Sequence, residues 1–199
     1  MKLIAIYVPG LGDNLGYVQS NLVRLWRFRG LQGTTHIMPW AGPGVYSTKA
    51  QRLEKLIDSL AVNDRRIVLI GASAGGTAVL NAYCARRNKV AVVMLICPKV
   101  NNSTNIGAKL IEKNPAFLTS LQQEEIAQAH LTASDKQKFV IFISPRDGLV
   151  QKTESLIPGV LVHELAPVRH TLAILYALSF GFAKLRAEVK RITTKAKAS

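Results

Sequence analysis

Ser73, Asp147 and His170 have the residue types and the order along the chain that nucleophilic hydrolysis requires. Ser73 lies in the sequence GASAG at residues 71–75, directly after an apolar run. A serine hydroxyl is a weak nucleophile until a histidine accepts its proton, and a carboxylate must hold that histidine in the right tautomer. The sequence therefore offers Ser73 as a candidate nucleophile, Asp147 as its orienting acid and His170 as the general base.

The glycines two residues before and two residues after Ser73 fit a tight turn between a strand and a helix. In such a turn the two backbones pass very close together, and the serine emerges at the carboxyl end of the sheet beside a helix N-terminus. The five-residue pattern alone is a weak signal, because a turn can be rich in glycine for packing alone. It becomes specific when a strand precedes it and a helix follows.

Asp147 and His170 also have purely structural alternatives. Asp147 closely follows a predicted strand that ends at residue 143 and could be a turn or helix-capping residue, and His170 could simply begin the last helix. The other histidines occupy predicted strands or a long connection and are poorer candidates for the base: His36, His130 and His163. No pair of histidines has metal-ligand spacing, so the sequence predicts no metal.

The negative oxygen that forms during acyl transfer needs two hydrogen-bond donors. The N–H of Ala74, directly after the candidate nucleophile, should be one of them. The loop after the first strand, residues 9–14 with the sequence PGLGDN, should supply the other. Within this loop the N–H of Leu11 is the first choice and that of Gly12 is the alternative, since flanking glycines let an amide turn inward.

The substrate pocket is less clearly marked in the sequence. Trp40 follows the second predicted strand, where it could either line an acyl or alcohol site or cap the core. Leu149, two residues after the candidate acid, is a second and weaker pocket residue.

The loop at residues 10–16, GLGDNLG, raises a dinucleotide-binding alternative. Its glycines follow the spacing GxGxxxG in place of GxGxxG, and no acidic residue ends the second strand, where a ribose would be bound. Both departures argue against a nucleotide cofactor.

The order of elements predicts how the candidate residues come together. Short apolar runs alternate with helical patterns, which is typical of a parallel sheet covered by helices. Strands are predicted at residues 3–8, 35–39, 66–70, 90–96, 139–143 and 160–165, and helices at 17–29, 49–62, 77–87, 150–156 and 170–192. We therefore expect an α/β three-layer sandwich whose six-stranded, mainly parallel sheet has helices on both faces.

A single domain over residues 1–192 is the expected organisation for a chain of 199 residues. The long connection at residues 101–137 should form two or three helices, either as an ordinary crossover or as a small lid. Residues 193–199 are expected to form a basic, flexible tail.

Composition excludes several other classes of protein. With 48% hydrophobic and 19% charged residues the chain is not disordered, and two cysteines are too few for a disulfide framework. The first apolar run is too short for a signal peptide, and the longest, residues 172–183, is too short to span a membrane. The sequence therefore predicts a cytoplasmic protein without a transmembrane segment.

The net charge of +14 at pH 7 could attract a polyanion or an anionic lipid surface. No aromatic residues interleave with the charges as single-stranded nucleic acid would require, so no specific nucleic-acid partner is expected. An apolar stripe on the last helix could lie on a membrane, but packing against the sheet is the favoured explanation. The sequence predicts no particular oligomeric state.

These residues together resemble a small, single-domain α/β-hydrolase of the serine-hydrolase type over residues 1–190. The resemblance is carried by PGLG at residues 9–12, GASAGG at 71–76, Asp147 with Val150 three residues later, and His170. It implies a central nucleophile strand, an acyl-enzyme mechanism without a cofactor, and a small-molecule ester or thioester as substrate.

The sequence departs from the family pattern in two places. Pro-Gly at residues 9–10 stands where many members have His-Gly, and the two antiparallel strands that often open the fold are missing. This indicates a minimal version of the fold. The alternative on the same scaffold is a catalytically weak or inactive binding protein that uses its basic surface for a polyanion or a protein partner.

Overall fold

A parallel sheet of six strands forms the centre of the fold in a computed structural model that describes residues 2–41 and 43–198. The strands are β1 (Lys2–Val8), β2 (Gln32–Thr35), β3 (Arg65–Ala72), β4 (Val90–Ile96), β5 (Phe139–Ile143) and β6 (Leu161–Glu164). They lie in the order β2-β1-β3-β4-β5-β6, and every neighbouring pair runs parallel. The predicted fold class is confirmed.

The helices cover both faces of this sheet. In chain order they are α1 (Asp13–Leu25), α2 (Tyr46–Leu60), α3 (Gly75–Ala85), α4 (Ala108–Lys113), α5 (Pro115–Ala129), α6 (Ala133–Lys136), α7 (Lys152–Ser155), α8 (His170–Leu178) and α9 (Phe182–Ala198), with a 3-10 turn at Trp26–Arg29. One apolar core joins the sheet to α2, α3 and α5, and a second joins it to α1, α8 and α9.

The strand sequences explain this two-sided core. Side chains alternate between faces along a strand, so Ile4, Ile6 and Val8 of β1 contribute to the first core while Ala5 and Tyr7 contribute to the second. The central strands β4 and β5 are covered on both sides and consequently read as near-continuous apolar runs.

The strand order reverses between β1 and β3, and this position determines where a ligand can bind. From β1 the chain turns outward to β2, whereas from β3 it proceeds in the opposite direction to β4. The loops leaving the carboxyl ends of β1 and β3 therefore diverge and leave a crevice between them, which is where α/β sheets bind ligands. The loop containing Leu11 follows β1, and Ser73 follows β3.

Two boundaries differ from those that the sequence predicts. The second strand covers Gln32–Thr35 and not residues 35–39, because an edge strand with half-exposed side chains needs no apolar run. The predicted final helix is two helices: α8 ends at Leu178, and α9 continues to Ala198. Residues 193–198 thus extend α9, where the sequence suggests a loose tail.

The connection at residues 101–137 contains three helices, α4, α5 and α6. Among all helices of the described residues, none is both long enough and apolar enough to cross a membrane.

A buried carboxyl group lies within the helical layer formed by the connection. The side chain of Glu124 on α5 is fully buried, and its Oε1 accepts a hydrogen bond of 3.0 Å from Nε2 of Gln128. Its Oε2 has no partner among the described residues. Burial raises the pKa of Glu124 to about 8, because the bond from Gln128 offsets only part of the lost solvation.

Replacing this carboxyl group by an amide should change how stability depends on pH. Between about pH 5 and 7 the folded chain keeps the Glu124 proton and the unfolded chain releases it, so stability falls as pH rises, by about 1.4 kcal/mol per pH unit through this group. In Glu124→Gln this decrease should be absent. We therefore expect the free energy of unfolding, measured in urea over this range, to fall less steeply with pH than in the wild type, by that amount per pH unit. Glu112→Gln, at an exposed position on α4, is the control. Identical slopes in wild type and Glu124→Gln would contradict a protonated buried carboxyl.

Candidate active site

Ser73 occupies a strained turn between β3 and α3. Its φ is 52°, in the left-handed region that residues other than glycine rarely adopt. Neighbouring backbone holds this conformation: the Ser73 N–H donates to the carbonyl of Ile96 at 3.0 Å, and the Ser73 carbonyl accepts from the N–H of Gly76 at 3.0 Å. The local geometry is therefore that of the strand–turn–helix element predicted from the sequence.

The spacing of the glycines around Ser73 follows from backbone contacts. A Cβ atom added to Gly75 would lie 2.1 Å from the carbonyl oxygen of Val8, and one added to Gly71 would lie 2.5 Å from that of Gly75. Backbone atoms of β1, β3 and α3 meet at this point, so neither position has room for a side chain.

Asp147 and His170 form a buried pair at the carboxyl ends of β5 and β6. Oδ2 of Asp147 lies 2.7 Å from Nδ1 of His170, and both side chains are buried. Oδ1 of Asp147 accepts the N–H groups of Leu149 and Val150 at 3.0 and 2.8 Å. Although burial favours the protonated carboxyl, the bonds from His170 and these amides more than compensate, so the pKa of Asp147 is lowered.

The two loops that carry this pair are bonded to each other. The hydroxyl of Ser144, just after β5, donates to the carbonyls of Val168 at 2.5 Å and Ala166 at 3.1 Å. The N–H of His170 donates to the carbonyl of Asp147 at 2.9 Å. Ser144 is a supporting residue that sequence reasoning missed, since a serine after a strand carries no distinguishing pattern.

Nε2 of His170 is the one ring nitrogen left for chemistry. It is buried and has no hydrogen-bond partner among the described residues, Ser73 included. Ser73 and His170 nevertheless line the same cavity. Catalytic hydrogen bonds are often long in the absence of a substrate, so this separation is compatible with a serine–histidine pair.

The cavity shared by Ser73 and His170 has a volume of about 440 Å³. Apolar side chains form much of its wall: Leu11, Ile106, Leu110, Phe117, Leu149, Val150 and Ile174. Leu11 and Ala74, the predicted oxyanion donors, both line it, and within the described part of the chain neither N–H donates to a backbone carbonyl. A Cβ added to Gly10 would lie 3.2 Å from Oγ of Ser73, which shows how close this loop comes to the hydroxyl.

A buried ion pair forms part of the cavity wall. Nζ of Lys99 bonds to Oε1 of Glu154, and both residues line the cavity. Burial alone would raise the pKa of Glu154, but Lys99 and the N–H of Gln151 lower it overall. The pair also joins the loop after β4 to α7, since the Glu154 carbonyl accepts the N–H of Val100 at 2.9 Å. The sequence shows no pattern that would pair these two residues.

Of the two predicted pocket residues, only Leu149 lines the cavity, where its side chain is 71% exposed at the opening. Trp40 is 2% exposed, packs edge-to-face on Phe117 with ring centres 5.9 Å apart, and does not line the cavity. Of its two predicted positions, Trp40 therefore occupies the core. The other histidines also lie away from the cavity: His36, His130 and His163.

Cys97 lies beside the Asp147–His170 pair, and ligand atoms of the three residues lie within 4.8 Å of one another. Burial, together with the neighbouring Asp147, raises the pKa of Cys97 to about 12. Metals bind the thiolate form, which a raised pKa disfavours, and Nδ1 of His170 is already bonded to Asp147. The cluster suits hydrogen bonding better than metal binding, and the expectation of no metal stays a prediction.

No protein-family model and no curated protein matches this sequence. Solved structures do resemble it. An α/β-hydrolase enzyme from the metagenome of sediments of the Mar Chica lagoon, Morocco, superposes with a TM-score of 0.66 at 16% identity, covering 96% of this chain and 92% of the other. A monoacylglycerol lipase of Paleococcus ferrophilus gives 0.62 at 15% identity, covering 96% and 93%.

The ydeN gene product of B. subtilis is similar to the same degree, with a TM-score of 0.63 at 14% identity over 96% of this chain and 100% of the other. Nearly complete chains therefore superpose on this one. The chain has the α/β-hydrolase fold, as the resemblance in its sequence implies.

The contact between Gly75 and β1 predicts a large effect of one methyl group. Gly75→Ala should lower the free energy of unfolding by about 1–3 kcal/mol or more, because the added Cβ meets the backbone carbonyl of Val8, which no side-chain rotation can relieve. The urea midpoint measures this. Gly107→Ala is the control: a Cβ there meets nothing within 4 Å, and the loss should stay below about 1 kcal/mol. Equal losses in the two variants would contradict the close contact.

The bond between Asp147 and Nδ1 predicts the tautomer of the His170 ring. In the neutral imidazole the proton should reside on Nδ1, leaving Nε2 as an acceptor. Two-bond ¹H–¹⁵N NMR spectra distinguish the tautomers. In Asp147→Asn the asparagine amide can donate to Nδ1, so we expect the proton to shift to Nε2. His130, away from the site, is the internal control, and an Nε2–H tautomer in the wild type would refute the assigned pairing.

Proposed function

We propose that this chain is a serine hydrolase that cleaves a carboxylic ester or thioester through an acyl-enzyme on Ser73. The observation that carries the proposal is the 2.7 Å Asp147–His170 pair, whose Nε2 is unpartnered among the described residues in the cavity that Ser73 lines. The strained turn at Ser73 and the α/β-hydrolase fold support the same conclusion.

The proposed reaction gives each of these groups one role. Oγ of Ser73 attacks the substrate carbonyl carbon while Nε2 of His170 accepts the hydroxyl proton. The tetrahedral intermediate then collapses: the bond to the alcohol or thiol breaks, and His170 returns the proton to the leaving group. A water molecule next attacks the acyl-Ser73 ester, with His170 again moving its proton, and the carboxylic acid is released.

Asp147 acts by remaining ionised throughout. Its lowered pKa keeps the carboxylate negative, so it fixes the imidazole tautomer and stabilises the imidazolium that forms after proton transfer. The N–H groups of Ala74 and Leu11 would bind the negative oxygen of the intermediate. Loss of one such donor typically raises the barrier by about 2.7–4 kcal/mol.

The cavity wall indicates the character of the substrate. Its many aliphatic and aromatic side chains suit an apolar acyl or alkyl group, because burial of apolar surface is favourable there. Structural neighbours named as an α/β-hydrolase enzyme and a monoacylglycerol lipase are consistent with ester cleavage.

Labelling with a fluorophosphonate tests the proposal directly. The wild type should gain one adduct by intact mass, peptide mapping should assign it to Ser73, and Ser73→Ala should lose it. Hydrolysis of p-nitrophenyl butyrate should fall by at least about 10³-fold in Ser73→Ala, because the attacking oxygen is gone. Ser59→Ala, which removes an exposed hydroxyl on α2, is the matched control and should behave as the wild type.

Circular dichroism of each variant separates loss of chemistry from loss of fold. Correctly folded wild type that forms no adduct would contradict the proposal and favour a binding protein on this scaffold. Hydrolysis that persists undiminished in Ser73→Ala would exclude Ser73 as the nucleophile.

A further inference from the structure

The outer side of α8 carries an exposed apolar surface next to the cavity. Leu172 is 57% exposed, Tyr176 is 39% exposed, and Phe180, just after the helix, is 83% exposed. These side chains line a shallow groove together with Val168 and Leu175. We call this group the α8 surface. The inner residues of the two last helices, by contrast, lie in the core: Leu178, Phe182 and Leu185.

Exposed apolar residues of α1 extend the α8 surface. Val18 and Leu25 are each about half exposed, and their spacing puts them on one helical stripe with Arg29 in the following turn. Nη1 of Arg29 donates to the carbonyl of Ser179 at 2.9 Å, and Nε1 of Trp26 donates to that of Leu178 at 2.9 Å. The stripe on α1 therefore runs beside the end of α8.

Helix α8 contributes residues both to the cavity and to the α8 surface. α8 begins at His170, and Thr171 and Ile174 line the cavity from one side of this helix. Leu172 lies between them in sequence and points to solvent. The exposed side chain of Leu149 lies at the opening, two residues after the acid that bonds His170.

Charge is distributed unequally between the two faces of the molecule. Residues 14–30 and 165–187 of this side contain no acidic residue, and the acids next to these ranges are Asp13, Glu164 and Glu188. They contain six exposed cations: Arg24, Arg27, Arg29, Arg169, Lys184 and Arg186. Apart from the buried Glu124, five acids lie on the helices of the other face or on the connection: Glu54, Asp58, Glu112, Glu125 and Asp135. Exposed apolar side chains flanked by these six cations fit a bilayer, whose interior is apolar and whose headgroups can be negative, even though Glu164 lies beside Lys184 and Glu188 follows on α9.

We propose that the α8 surface docks this protein on an anionic lipid bilayer. Leu172, Tyr176 and Phe180 enter the boundary between headgroups and acyl chains, while the surrounding arginine and lysine side chains contact lipid phosphates. A second copy of the chain fits less well, because a symmetric contact would bring two cationic surrounds together. Nucleic acid fits less well too, because the aromatic rings of the α8 surface share it with aliphatic side chains, Val168, Leu172 and Leu175, which offer no stacking face.

Docking in this orientation turns the opening of the cavity toward the bilayer. An ester with an apolar chain could then pass from the membrane to Ser73 without crossing water. This consequence rests on the proposed hydrolase function, whereas the docking itself does not.

Vesicle flotation tests the docking. The wild type should float with vesicles of equal parts phosphatidylcholine and phosphatidylglycerol, remain unbound with phosphatidylcholine alone, and detach as salt screens the charges. Leu172→Ser with Phe180→Ser should lower the partition coefficient about tenfold or more, because two apolar anchors are lost. Arg24→Gln and Arg169→Gln should each lower it about fivefold.

The matched control is Ile126→Ser on α5, which removes an equally exposed aliphatic side chain from the opposite face and should leave flotation unchanged. Every variant is also measured by circular dichroism, which reports a failure of folding, and by fluorophosphonate labelling, which reports a failure of the hydrolase proposal. Neither failure can then be mistaken for a loss of docking. The docking proposal is overturned by absence of flotation, by equal losses in the α8 and Ile126 variants, or by equal binding to neutral vesicles. A dimer that Phe180→Ser dissociates, or retention on DNA, without flotation would overturn it as well.

Discussion

The close contact between the carbonyl of Val8 and the first turn of α3 is the constraint on which the rest of the site depends. Backbone atoms fill the space beside Gly75, so the chain must leave β3 through a turn with almost no side chains. This turn forces Ser73 to a φ of 52° and aims it away from the sheet. The same contact brings the loop after β1, which contains Leu11, next to Ser73. The strained turn at Ser73 and the closeness of the loop after β1 are thus two results of one packing requirement.

The second requirement is to keep a charged carboxylate inside the protein. Burial of an unpaired carboxylate would cost several kcal/mol, and Asp147 avoids this by accepting bonds from His170 and from two backbone amides. These bonds require the loops after β5 and β6 to keep a fixed position relative to each other. The hydroxyl of Ser144 contributes to this by bonding one loop to the other. The lowered pKa of Asp147 and the fixed orientation of His170 therefore have the same cause.

Sequence reasoning predicts those parts of the molecule that depend on local backbone geometry. The GASAG turn and the strands β4 and β5 are of this kind, since tight turns and double-sided burial restrict which residues can occur. It is less successful where long-range packing decides. Strand β2 is polar because it is an edge strand, and the break between α8 and α9 has no proline to reveal it. The sequence around Trp40 is compatible with either orientation, because the contact with Phe117 in the core joins residues far apart in the chain.

Whether residues 101–137 form a crossover or a lid depends on how each helix is anchored. α5 is held by polar contacts inside the helical layer: the hydroxyls of Thr77 and Ser120 are 2.6 Å apart, and Nδ2 of Asn81 donates to the carbonyl of Ser120 at 2.9 Å. Breaking these contacts would leave buried polar groups unpaired, so α5 behaves as part of the crossover. α4 buries none of its own residues, although Leu110 lines the cavity. The two helices of the connection therefore differ: α5 is fixed to α3 in the helical layer, whereas α4 is a weakly anchored part of the cavity wall.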